Sequence, residues 1–129
     1  MISIRTSVDL SATLDAALCP HLRRVLVERR DQLLADGFDL TELAHIIVVQ
    51  RGDTLDAIEG EAGVALSTNL VTGARLGDRD FTPNFEFVER HLGCWLEAVL
   101  ILSDDGFGVV LFVPDVIHTD PQLLRLLAA

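Results

Sequence analysis

Four residues of metal-ligating type fall in two close pairs, Cys19 with His21 and His91 with Cys94. Thiolate and imidazole are ligands that zinc takes tetrahedrally, so these four form the metal set that residue types suggest. Pro20 sits inside the first pair, neither spacing is a standard zinc framework, and buried thiols beside helix-end histidines account for the same residues. The second pair carries another chemistry. An imidazole three residues from a thiol can favour the thiolate and make Cys94 a nucleophile, with His91 as its base. Asp115, His118 and Asp120 form a further group, where a carboxylate beside an imidazole can work as a general base, although Asp120 also stands where a helix cap is wanted. Asp104 with Asp105 and Asp78 with Asp80 are binding candidates of a weaker kind, because aspartate is favoured in turns for conformation alone.

The familiar catalytic and cofactor motifs are missing. No serine lies in G-x-S-x-G, no H-E-x-x-H is present, and no G-x-G-x-x-G follows a strand. The chain has no lysine, which excludes a P-loop lysine and a Schiff-base lysine. The expectation is a chain without a cofactor, leaning away from catalysis.

Composition narrows the partners. With 20 acidic and 10 basic residues the formal charge is −10, which repels nucleic acid and anionic lipid and favours a basic protein partner. Arg23, Arg24, Arg29 and Arg30 form the one basic cluster, and Glu28 and Asp31 interrupt it. Tyrosine is absent and one tryptophan is present, a poor supply of stacking platforms for bases. Half the residues are hydrophobic and the mean hydropathy is +0.38. That surplus needs cover, which a homo-oligomer interface would give. Two cysteines make no disulfide framework, Met1 to Arg5 lacks the apolar region of a signal peptide, and no apolar run is long enough for a membrane span. The expected compartment is the cytoplasm.

The elements that must position these residues fit one domain over 1–129, with a flexible start over about residues 1–8. Leu10, Leu14, Leu18, Leu22 and Leu26 recur every four residues, a helical stripe that Pro20 divides into helices near 8–18 and 20–36, the second stopped by Gly37. His45 to Gln50 is a β-branched strand. Asp53 is the expected N-cap of a short helix with Leu55 and Ile58 inward and Gly63 at its end. Residues 64–80 carry no clear period. Thr82-Pro83 has the form of an N-cap and first helical turn, predicting a helix through Leu92 with Glu86 and Arg90 paired on it. Trp95–Leu102 and Phe107–Val113 form a hairpin about Asp105-Gly106, and their unbroken apolar runs require cover on both faces. Asp120 caps a terminal helix with Pro121 in its first turn. Helices with a mostly antiparallel sheet make the class α+β, with at least three strands, a central 95–113 hairpin and four or five helices.

Residues 45–64, HIIVVQRGDTLDAIEGEAGV, resemble the opening of a LysM module through Val49, Gly52, Asp53, Thr54, Leu55, Ile58, Gly63 and Val64. Asn69 falls near that family's asparagine, and the likeness ends by residue 72. The resemblance implies a βααβ unit and binding of N-acetylglucosamine polymers such as peptidoglycan through 45–72. Three readings therefore enter the structure: a non-catalytic interaction domain with an acidic face, a glycan-binding module, and a small enzyme built around His91, Cys94 and the 115–120 loop.

Overall fold

A computed structural model describes residues 1–14, 20–35, 37, 44–91, 95–101, 108–114 and 116–128. Along the chain run β1 (Ile2–Ile4), α1 (Ser7–Leu14), α2 (Pro20–Ala35), β2 (Ala44–Val48), α3 (Leu55–Ala62), β3 (Phe87–His91), β4 (Trp95–Ile101), β5 (Gly108–Val113), a 3-10 turn at Val116–His118 and α4 (Pro121–Ala128). The class is α+β, as the sequence implies.

One five-stranded sheet in the order β1-β2-β5-β4-β3 organises the chain. Three pairings are antiparallel and one, β2 with β5, is parallel. The expected hairpin is present as β4 and β5, in register from Leu96 opposite Val113 to Ile101 opposite Gly108. Its turn, with Asp104 and Asp105, lies outside the described residues.

Alternation along β2 and β5 divides the apolar residues between two cores. Ile47, Val109, Leu111 and Val113 face α3 and α4, meeting Leu55, Ile58, Leu123, Leu126 and Leu127. Ile46, Val48, Val110 and Phe112 face α1 and α2, meeting Leu10, Leu14, Leu22 and Leu26. Every residue of β5 is buried, which is why its run shows no polar alternation. The apolar surplus thus fills two layers of helix on either side of a sheet.

Several local expectations change. The start is not a loose tail: Ile2 to Ile4 pair with Val48 to Ile46, and Ile4 is fully buried. Thr54, not Asp53, caps α3, its hydroxyl accepting from the Ala57 N–H at 3.2 Å. Asp53 instead closes the preceding turn by accepting from the Gln50 N–H at 2.7 Å and meets the Met1 ammonium at 2.9 Å. The helix expected from Thr82 does not form. Phe87 to His91 pair as a strand with Val99 to Trp95, so the Glu86–Arg90 helical pair has no basis. A strand partner over Trp95–Val99 of β4 outweighs a favourable cap.

Candidate functional site

Residues 66–84, which take in most of the 64–80 stretch without a clear period, fold into a tightly bonded loop. Thr68 and Arg75 form an isolated antiparallel bridge, flanked by Leu76 N–H to Ser67 C=O at 2.8 Å and Asn69 N–H to Ala74 C=O at 2.8 Å. Asn69 organises the tip. Its side-chain oxygen accepts from the N–H groups of Val71 and Thr72 at 2.9 and 2.8 Å, and its amide donates to the Thr82 carbonyl. Asn84 fixes the other side, donating to the Thr68 carbonyl and accepting from the Leu70 N–H, both at 2.9 Å. Gly73 completes the turn at φ +76°, where a Cβ is strained. The product is a rigid tip that holds Leu70 and Val71 in solvent, 58% and 93% exposed.

At the base of this loop lies an open polar cleft of about 630 Å³ whose lining includes Thr54, Glu59, Ser67, Arg75 and Asp120. Two helix starts converge there on one carboxylate. Asp120 accepts from the Leu55 N–H of α3 at 2.8 Å and from the Gln122 N–H of α4 at 3.2 Å. Glu59 holds the loop to α3 by accepting from the Leu66 N–H at 2.9 Å and the Ser67 hydroxyl at 3.1 Å. With Asp56, three carboxylates face one guanidinium, that of Arg75, so the cleft is acidic.

The residues singled out by type are dispersed. Cys19, Cys94, Asp104, Asp105 and Asp115 lie outside the described residues. His21 is exposed on α2, its Nδ1 at 3.5 Å from Arg24. His118 is exposed on the 3-10 turn, and Asp120 serves as a double cap. Asp78 accepts from the Arg75 N–H at 2.8 Å, a turn role, and Asp80 is exposed. His91 is not on a helix but on the edge strand β3, where its Nε2 meets Glu97 at 3.2 Å and Glu89 at 3.7 Å.

A second polar group went unnoticed because its members are far apart in sequence. His45 on β2 is 4% exposed, and its Nε2 lies 2.6 Å from the Ser3 hydroxyl on β1 and 3.7 Å from Glu61 on α3. Burial holds the imidazole below its ordinary pKa, the Arg5 charge adds to that, and Glu61 opposes it. The Ser3 hydroxyl bond holds the Glu61 carboxyl below the carboxylate range, helped by His45 and Arg5. Through the Ser3–His45 and His45–Glu61 contacts the trio ties β1, β2 and α3 together.

The LysM-like segment has the local roles the resemblance implies. Gly52 turns at φ +89°, Thr54 caps, Leu55 and Ile58 enter a core, and Gly63 ends the helix at φ +71°. The βααβ unit does not follow. Among the described residues, 64–72 form no second helix, and β2 pairs with β1 and β5. The chain matches no protein-family model, no curated protein and no solved structure.

Proposed function

We propose that this chain is a non-catalytic protein-interaction domain of the cytoplasm, whose contact surface is the 66–84 loop with the acidic cleft at its base. The carrying observation is the pair Leu70 and Val71, adjacent, exposed and fixed by side-chain bonds from Asn69 and Asn84. Isolated apolar residues on a surface need no explanation. Two neighbours on a preorganised tip are different, because the ordering cost of binding has already been met in the free protein. A socket that accepts both side chains gains apolar burial without loop reorganisation. The cleft and the formal charge of −10 select a basic rim around that socket, which speeds encounter and rejects acidic competitors.

The test is affinity capture from the native host with the intact chain and a Leu70→Asp, Val71→Asp variant. One basic protein held by the intact chain, released by high salt and absent from the variant eluate supports the reading. Capture that the variant retains, or no capture, overturns it. Concentration-dependent mass in sedimentation that the variant abolishes assigns the tip to self-association and overturns the hetero-partner reading.

A further inference from the structure

We propose that Glu89, His91 and Glu97 form a binding site for a divalent first-row transition ion with zinc-like coordination. The site is independent of the loop and cleft. Its residues come from neighbouring strands: Glu89 lies directly opposite Glu97, and His91 is two residues along β3 and therefore on the same face. The face is that of Phe112, which is paired with Glu97 on the other side.

Three observations favour an ion over a simple ion pair. Two carboxylates occupy one cross-strand position, a repulsive arrangement that a cation between them relieves. One of them, Glu97, is 3% exposed, so water does little to screen the repulsion. Both carboxylates are approached by the same imidazole nitrogen, at 3.2 and 3.7 Å. One Nε2 carries at most one proton, and 3.7 Å is beyond hydrogen-bond range. A tetrahedral ion with nitrogen and oxygen ligands at about 2.0–2.2 Å spaces those atoms about 3.3–3.6 Å apart, a range that the imidazole's 3.2 and 3.7 Å straddle closely. All three ligand atoms lie within 4.8 Å of one another, and Glu89 is exposed enough to adjust its position. Glu89 and the half-buried His91 face solvent, leaving an entry route and a fourth position.

The sequence pairing of His91 with Cys94 is thus joined by a different ligand set, one oxygen-rich and across strands. Cobalt(II) titration of the full chain, read by visible absorption and zinc competition, tests it. The expected result is a tetrahedral cobalt spectrum that zinc abolishes, with His91→Ala and Glu89→Gln weakening binding at least about 100-fold, since even outer-shell losses cost 10–100-fold. Glu89→Gln decides the matter because that side chain is exposed and its loss does not threaten folding; far-UV circular dichroism checks this. No cobalt spectrum, or binding unchanged in both variants, overturns the site. A thiolate-to-cobalt charge-transfer band that persists in Glu89→Gln also overturns it, because the ion then sits on the cysteines.

Discussion

Removing the Asp120 carboxylate unties two helices at once. Its oxygens take the Leu55 N–H at 2.8 Å and the Gln122 N–H at 3.2 Å, so Asp120→Ala orphans one donor at the start of α3 and one at the start of α4. A lost cap costs typically about 1 kcal/mol, and the charge facing each helix N-terminus adds about 0.5 kcal/mol. The sum is about 3 kcal/mol, or a fall in Tm of about 10 °C for a domain of this size. Asp120→Asn keeps one accepting oxygen and loses the charge, which gives about 2 kcal/mol by the same reasoning. Thr54→Ala is the control, since it removes one cap bond on α3 alone and costs about 1 kcal/mol. Urea unfolding followed by circular dichroism and by the fluorescence of the one tryptophan measures all three. The double-cap reasoning is refuted if Asp120→Ala costs no more than Thr54→Ala, or if Asp120→Asn matches the parent chain.

Stability should also depend on pH through His45. Its folded pKa lies below the ordinary value because of burial, so between that folded pKa and about 6.5 the unfolded chain binds the extra proton. The histidine contribution is therefore complete above about 6.5 and lost as the pH falls below it; urea midpoints that rise from pH 7 to pH 5 contradict this, and a His45→Gln comparison isolates the residue. Glu61, lowered by its bond from Ser3, adds a separate loss at more acidic pH, as its own lowered folded pKa is crossed. At the loop, Asn69→Ala removes acceptor bonds to Val71 and Thr72 and the donor bond to Thr82. Amide exchange at Val71 and Thr72 should accelerate at least about tenfold while global stability falls by about 1 kcal/mol; unchanged exchange at those two amides argues against a rigid tip.

Where a segment's own chemistry decided its structure, the sequence was readable. Pro121 behind Asp120, Gly63 at the end of α3 and the two apolar runs of the β4–β5 hairpin all led to the right elements. Thr82-Pro83 misled because a cap pattern is local, whereas β3 exists through its partner β4. That error also hid the candidate ion site. On a helix, Glu89 and His91 point to opposite sides; on a strand they share a face, and only the register with β4 sets Glu97 opposite Glu89. β1 was missed because three residues carry no period. The Ser3–His45–Glu61 group was missed because strand pairing and helix packing, not spacing, join its members. In the loop, the reach of Asn69 to Thr82 and of Asn84 to Thr68 was not legible in the sequence.

The one parallel joint in the sheet also sets an order of events. β2 ends at Val48, and its partner β5 begins only at Gly108. The layer holding α1 and α2 has Val110 and Phe112 as part of its core, so the first half of the chain has no finished interior of its own. A nascent chain therefore carries the sticky run Ile46-Ile47-Val48-Val49 beside an open strand edge until β5 emerges. At about 5–20 residues per second that interval is roughly 3 to 13 seconds. Exposure of this kind invites aggregation, so the yield of folded chain depends on how that edge is covered during synthesis as well as on the stability of the finished fold.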